Sequence, residues 1–399
     1  MIVRLLINKC GSGLNSIAGP FLAGFTNLRR VFITSFSDPV EHLVHLHRKF
    51  NSHFVRLGPR VVSISDPALI PTIYGINTDF RKTEFYPIID LWHNGKFAHS
   101  LCEHRDEDYH TRIRRSVANA FSMTAVMESE PAVDSTVELL MSKLDQCEIL
   151  FSRKLGCLES GTDVESVMSG IRFFDKYWQA ERSSWKASGH ATKRDFLERC
   201  IEAQAKYPDV VNDRMVVLHN FNNIGAGSDT TATTLISLMY HLLKNPRTLQ
   251  KVLKDLDRAN KEGCLSRTVT WQEAGKLSYF QACIQEALRM HPPIGMIQER
   301  YVPKGGISMG GHYFPEGTIV EINPWLTARN REVYGADSDS FRPERWLDAS
   351  KDQLTAMEGA NFVFSFARPD LEWTVNGGWM MWQDDVHVGI KRRAENYTP

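Results

Sequence analysis

The chain lacks a charge bias. Its 47 lysines and arginines balance 47 aspartates and glutamates across 399 residues. Nothing therefore draws it toward nucleic acid, and no basic cluster interleaved with aromatics changes that. Paired cysteines are missing too. Cys10, Cys102, Cys147, Cys157, Cys200, Cys264 and Cys283 are odd in number and none forms a C-x-x-C. That spacing offers neither a zinc site nor a disulfide framework, and fits reduced thiols in a cytosol-facing protein. No long apolar run is present: "MIVRLLINKCGSGL" is broken by Arg4, Lys9 and two glycines, short of the roughly eighteen residues that a membrane span needs. Residues 1–16 are accordingly expected to be a disordered lead-in or the remnant of an N-terminal anchor. Repeats and low-complexity linkers are also missing. What remains is an ordinary globular composition, 42% hydrophobic and 24% charged, well able to bury a core.

Two β-prone runs, 54–57 and 61–65, flank Gly58-Pro59-Arg60 and predict a hairpin. From about Asp106 onward helical periodicity dominates. "YHTRIRRSVANAF" (109–121) reads as a basic amphipathic helix, and residues 212–243 as a long central helix, apolar on much of its surface and expected to be buried. Leu249, Val252, Leu253 and Leu256 mark the stripe of a surface helix. Thr270 and Glu273 form a capping box opening "TWQEAGKLSYFQACIQEALRM", which stops at His291-Pro292-Pro293. Short strands are predicted at 307–309, 313–314 and 318–322, with a turn at Gly310-Gly311. The fold class expected is mainly α with a small β region.

The segment richest in chemistry is "NNIGAGSDTTATT" (222–234), midway along the long helix. Gly225 and Gly227 strip side chains from one face, so that a flat group can lie against the backbone. Thr230 can bond a carbonyl one turn back and open the helix locally. Asp229 beside it supplies an acid next to a hydroxyl, the parts of a proton relay.

Ala226-Gly227-Ser228-Asp229-Thr230-Thr231 resembles the central-helix signature of the cytochrome P-450 heme-thiolate monooxygenases. Glu286-Ala287-Leu288-Arg289 is similar to that family's Glu-x-x-Arg helix, followed by Met290-His291-Pro292-Pro293 and later by Phe341-Arg342-Pro343-Glu344-Arg345-Trp346. The resemblance covers about residues 17–366 and looks most like fungal microsomal members of the pisatin demethylase kind, in "DFRKTEFY" (79–86) and "YPDVVNDR" (207–214). It implies heme b as cofactor, a small lipophilic substrate such as a secondary metabolite or xenobiotic, electrons from an NADPH-cytochrome reductase, and a monomer at the endoplasmic reticulum membrane. It implies catalytic roles for Asp229 and Thr230, contact of Ala226 and Gly227 with the heme, and binding of its propionates by His110, Arg114 and Arg300. Glu286, Arg289 and Arg345 would form a buried ionic triad with a structural role.

Two departures stand against this pattern. After the strand expected at 362–366, the family's Phe-x-x-Gly-x-Arg-x-Cys-x-Gly places Pro369 at the glycine, Leu371 at the arginine and Trp373 at the iron-ligating cysteine. No cysteine follows Cys283. Met380, Met381 or His387 could ligate iron in principle. The tail 367–399 resembles nothing in the family and reads as disordered, translated non-coding sequence, so the fold is expected to be truncated at its heme-binding end. The 145–190 region is shortened where the family roofs its substrate cavity. Alongside the monooxygenase stand two other readings: a catalytically dead remnant or misread gene, and a heme-free helical module binding small molecules. Localisation is left between the endoplasmic reticulum membrane that the resemblance implies, for which the sequence shows no transmembrane anchor, and the cytoplasm.

Overall fold

The computed structural model describes residues 2–146 apart from 37–38, 76–77, 90, 94–95, 99–100 and 102–103, then residues 195–295 and 298–362. Helices make up most of it. The N-terminal part runs α1 (Ile2–Cys10), α2 (Leu28–Phe36), α3 (Pro39–Phe50), β1 (Phe54–Gly58), β2 (Val61–Ile64), α4 (Ile70–Tyr74), β3 (Arg81–Lys82), β4 (Leu91–His93) and β5 (Lys96–Ala98). The helical body follows with α5 (Glu107–Val117), α6 (Met123–Glu128), α7 (Glu130–Gln146), α8 (Phe196–Lys206), α9 (Asp213–Lys244), α10 (Pro246–Lys261), α11 (Trp271–Ala274) and α12 (Ser278–Met290). The last part holds β6 (Arg300–Tyr301), β7 (Ile307–Met309), β8 (His312–Phe314), β9 (Ile319–Ile322) and short helices ending at α16 (Lys351–Ala360).

One five-stranded sheet, in the order β1-β2-β9-β6-β3, joins both ends of the chain. β2 and β9 pair in parallel, Val62 against Val320 and Ile64 against Ile322. A parallel pair with all of β2 buried is covered on both faces, as its near-continuous Val/Ile run requires. Ile73, Phe314 and Phe362 complete this core. The predicted hairpin at 54–64 and the strands at 307–314 form as expected. Gly310 and Gly311 both take positive φ in the β7–β8 turn, a conformation costly for any residue with a side chain.

The long helix forms over Asp213–Lys244 and starts where the Asn212 side chain accepts from Met215 N at 3.0 Å. Its start packs Met215–Leu218 against Ile113 and Val117 of α5 and Cys200 and Ile201 of α8. Its far end packs Leu238 and Leu242 against Cys283 and Ala287 of α12.

Four sequence expectations need correction. The 271–290 stretch is two helices rather than one: Gly275, a poor helix former, caps the first, and Leu277 leaves helical geometry to bury its side chain. The 109–121 helix ends at Val117 and tightens into a 3-10 turn over Ala118–Phe121. The long helix is buried at its start and along one stripe only, with Ile224, Leu235, Met239 and Leu243 exposed. The lead-in is not featureless, since residues 2–10 form a helix and Leu14 is fully buried against the sheet. That packing has a cause. Arg56 of β1 is 2% exposed, and its guanidinium donates to the Asn8 carbonyl at 3.1 Å and the Ser12 hydroxyl at 2.7 Å, tying the lead-in down. Of the strand expected at 362–366, only Phe362 lies within the described residues, its ring 4.9 Å from that of Tyr74.

Candidate cofactor site

Between its two packed ends, α9 leaves a middle section, 221–231, in which no residue of described burial is fully buried. A Cβ added at Gly225 or Gly227 meets no atom within 4 Å apart from the neighbouring backbone of the helix itself. Glycine costs about 1 kcal/mol against alanine in a helix, so two of them on an open stretch answer to no packing demand from the described protein. Two residues apart, they point about 200° apart around the helix, so they open two separate positions and not the single stripped face expected from the sequence. Ala226, between them, is half-buried. Thr230 donates its hydroxyl to the Ala226 carbonyl at 2.8 Å, and Thr234 donates to the Thr230 carbonyl at 2.8 Å. The back-bond foreseen for Thr230 is therefore made, but without opening the helix, which runs unbroken through 213–244. Asp229 is half-buried and forms no ion pair with a described residue; burial raises its carboxyl above the ordinary value, which favours a held proton.

A second feature is a concentration of positive charge around α5 and β6. The Arg300 guanidinium lies between the rings of Tyr74 and Tyr86, 5.1 Å from each centroid, and bonds the Tyr86 hydroxyl and the Glu299 carbonyl. Lys82 sits directly opposite Arg300 across the β3–β6 pair, a like-charge pairing that costs stability unless an anion joins it. Its ammonium donates to the carbonyls of Leu101 at 3.3 Å and His104 at 3.2 Å. His110, on α5, is pushed down to about 4, first by burial and then by Lys82, Arg114, His104 and Arg300. The carboxylate paired with it is the half-exposed Glu107, 3.8 Å away. Arg114 is exposed on the same helix. Two carboxylates of one ligand suit this donor set, because arginine stays charged and presents a fork. Ile113 and Val117 dock α5 on the start of α9. No hydrogen bond or ion pair among the described residues joins His110, Arg114 or Arg300 to Asp229 or Thr230.

The third feature is a fully buried ionic lock. The Glu286 carboxylate accepts from Arg289 Nη2 at 2.7 Å and Nε at 2.8 Å, from Arg345 Nε at 3.0 Å, and from the Arg342 backbone N–H at 2.8 Å. Trp346 Nε1 adds a further bond at 2.9 Å. Arg289 spends its other donors on the carbonyls of Ala328 and Ser338, at 2.7 and 2.6 Å, and Arg345 on those of Tyr334 and Asp337, at 2.5 and 3.1 Å. Every charge is thus paired and hydrogen-bonded, the condition under which buried ions are tolerated. Burial alone would raise the Glu286 carboxyl, but the bonds and charges of the arginines hold it below the usual carboxylate range.

Sequence reasoning missed Lys82, His104, Tyr74 and Tyr86 around Arg300, and Trp346 in the lock. Trp346 was legible, standing directly after Arg345 in the motif. Lys82 is brought in by strand pairing, Tyr74 and Tyr86 by packing on the Arg300 guanidinium, and His104 by its carbonyl on Lys82, all contacts between distant segments for which one sequence carries no signal.

The open position at Gly227 leaves room for a flat group beside the helix, and the cation cluster carries donors suited to carboxylates. No described cysteine suits an iron thiolate. Among the described cysteines, Cys10 and Cys264 are exposed, while Cys200 and Cys283 are buried in apolar clusters that push both thiols up to about 12. Cys283 packs against Leu238, about 16 Å along the α9 axis from Gly227 by the rise of a helix. No group of three His, Cys, Asp or Glu side chains that could hold a metal occurs among the described residues. Trp373, Met380, Met381 and His387 lie outside them.

Fold and site together define a mainly helical protein, with a glycine-bearing central helix, a cation cluster at its head and an ionic lock near its foot. Known proteins agree. The Cytochrome P450 family model matches residues 158–366. A cytochrome P450 monooxygenase of Emericella nidulans, cicH, is 34% identical over 472 aligned positions, covering 95% of this chain and 94% of its own length. A cytochrome P450 monooxygenase of Aspergillus terreus is 32% identical over 419 positions, covering 88% of this chain and 84% of its own. The E. nidulans pkfB monooxygenase is 32% identical over 415, covering 88% and 80%. The chain belongs to the cytochrome P450 family. The family model stops at Phe366, while the cicH alignment, covering 95% of 399 residues, runs some way past it. Many of its 472 positions are filled by the relative alone, so this chain is shorter by internal stretches.

Proposed function

We propose that this chain carries the porphyrin-facing half of a heme monooxygenase site built to oxidise a small lipophilic molecule of secondary metabolism, and that in its present form it does not complete the iron site. The P450-like domain would span 17–366, shortened over 145–190. The observation that carries the first part is the open position at Gly227, with Asp229 and Thr230 within the next turn of the helix. The second part rests on the sequence, which has no cysteine after Cys283.

In the family the heme supplies the activation of O₂, with electrons from an NADPH-cytochrome reductase. Arg300, held between two tyrosine rings, and the neighbouring Lys82, His110 and Arg114 would hold its two carboxylates. Gly227, with Ala226, would let its flat face approach the helix backbone. Asp229, with its raised pKa, would hold a proton and pass it through the Thr230 hydroxyl toward that face. Glu286, Arg289 and Arg345 would act on geometry alone, by fixing α12 against the segment 337–346.

Hemin titration of the full chain tests both parts, read by absorbance before and after reduction under carbon monoxide. The expected result is binding that weakens at least tenfold in Arg300→Glu, with no thiolate-type Soret band. A thiolate-type band would overturn the second part, and no saturable binding at all would overturn the first.

A further inference from the structure

Three polar side chains are buried together where α3 meets the sheet. His47 stands in the last turn of α3, Ser63 in β2 and Glu321 in β9, and all three are buried. The His47 ring is held at both nitrogens: Nδ1 lies 2.9 Å from the Ser52 carbonyl oxygen and Nε2 3.0 Å from the Ser63 hydroxyl. Ser63 faces Glu321 in the same rung of the parallel β2–β9 pair, and its hydroxyl is the hydrogen-bonding group beside that carboxyl. No other described donor reaches either Glu321 oxygen. Arg30 of α2 acts on the carboxyl by its charge, and is itself paired with Glu299.

The direction of these bonds follows from one end. A carbonyl can only accept, so the proton of a neutral His47 ring sits on Nδ1 and leaves Nε2 as an acceptor. Ser63 must then donate its single proton to Nε2. It has only lone pairs left for Glu321. A carboxylate is repelled by them, whereas a carboxylic acid donates to them.

We propose that Glu321, Ser63 and His47 form a proton chain that latches α3 to the sheet, complete only while it holds one titratable proton. With that proton on Glu321, its O–H donates to Ser63 Oγ, the Ser63 O–H to His47 Nε2, and the His47 Nδ1–H to the Ser52 carbonyl. Moving the proton to His47 reverses the first two bonds and leaves two buried charges in place of two neutral groups, which is the costlier arrangement. Taking it away leaves one hydroxyl proton between two acceptors, so one buried bond is lost. A second proton, on His47, sets donors on both sides of Ser63 and adds a buried charge. The surroundings order the two ends as the chain requires. Burial pushes His47 down to about 4 and Glu321 up to about 7, and the one-proton state fills the interval between. The Ser52 carbonyl and His53 act on His47 in opposite senses, and Arg30 with Ser63 lowers Glu321, without reversing that order. Tyr74 of α4 does not compete for the proton, because its hydroxyl is taken up by the Gln298 carbonyl at 2.6 Å and the Ile322 N–H at 2.9 Å. Its ring carries Arg300, so the latch stands directly behind the cation cluster. None of its three members is assigned to the cofactor, and it stands or falls apart from the monooxygenase reading.

The test is nitrogen NMR of the full chain with labelled histidine rings, His47 being assigned by its loss in His47→Gln. Between the two values the ring should be the Nδ1–H tautomer with Nε2 accepting a bond. At higher pH His47 stays neutral, yet its Nε2 resonance should step with a midpoint near pH 7, as Glu321 loses its proton and Ser63 turns toward the carboxylate. The step should vanish in Glu321→Gln, whose amide keeps a donor on Ser63 and cannot ionise. It should vanish also in Ser63→Ala, which cuts the link. His53→Asn, the neighbouring ring that acts on His47, should leave the step in place. Far-UV dichroism checks that each variant folds, and Glu321→Gln alone decides the matter if Ser63→Ala does not. An Nε2–H ring within the interval, no step near pH 7, or a step that survives Glu321→Gln would overturn the proposal. So would a step that survives Ser63→Ala, because Glu321 would then act on the ring through space and not through the hydroxyl.

Discussion

Replacing Glu286 by glutamine tests the lock with a change of one atom type. The carboxylate is fully buried and takes five donors: two from Arg289, one each from Arg345 and Trp346, and the Arg342 backbone N–H. Glutamine keeps the shape, but points an NH₂ group at donors and removes the one negative charge between two buried guanidinium groups. Removing one partner of a buried ion pair costs about 3–5 kcal/mol, because the charge left behind keeps its desolvation penalty. Against a typical total of about 5–15 kcal/mol, Glu286→Gln should cost a large share of the stability. Urea unfolding followed by far-UV dichroism reads the loss as a lower midpoint at unchanged slope. The exposed Arg105–Glu84 pair is the control, and Arg105→Met should cost less than about 1 kcal/mol. If Glu286→Gln costs no more than the control, the lock is not what holds α12 against 337–346. The pH dependence has a definite sign. The folded carboxyl sits below 4.5, so its contribution is present above that value and is lost as pH falls through the lower, folded one.

Three further outcomes follow from other groups. Gly227→Ala should stabilise the chain without cofactor by up to about 1 kcal/mol, since the added Cβ meets nothing; destabilisation on urea unfolding would show that this position is packed. Glu321 is fully buried and is pushed up to about 7, foremost by burial, against the opposing pull of the Ser63 hydroxyl and the Arg30 charge. The folded chain thus keeps this proton while the unfolded chain loses it, and stability drops by about 3 kcal/mol as pH rises from about 4.5 to 7; Glu321→Gln should abolish that component in stability–pH curves, and unchanged curves would refute it. His47, His110, His219 and His241 are all held at about 4, in each case foremost by burial. Their contribution is lost as pH falls from about 6.5 toward 4, and four imidazoles outweigh one carboxylate, so the net change on acidification is a loss. Ring resonances of these histidines that titrate near 6.5 in the folded chain would refute that.

The long helix, the hairpins and the lock were legible because each is local or carried by a strong pattern. Asn212 before a 32-residue helix, Gly310-Gly311 between two strands, and Glu286 three residues before Arg289 all lie within a turn or two of their partners. The cation cluster was legible only in part. Arg300 and His110 have motif positions, whereas Lys82 and the two tyrosines reach Arg300 through the pairing of β3 with β6 and the packing of α4 beneath it. The break at Gly275 was misread because the capping box and the helical stripe behind it are continuous in sequence, and only the burial of Leu277 separates them. The lead-in was misread for a different reason. Its anchor is Arg56, more than forty residues away.

The lock consists of polypeptide alone. Glu286 and the groups that satisfy it all lie between residues 286 and 346, and none depends on iron or porphyrin. Melting curves and dichroism therefore register whether that clasp has shut, and a batch of empty chains can pass both as native. Only absorbance in the visible region can separate a loaded molecule from a hollow one.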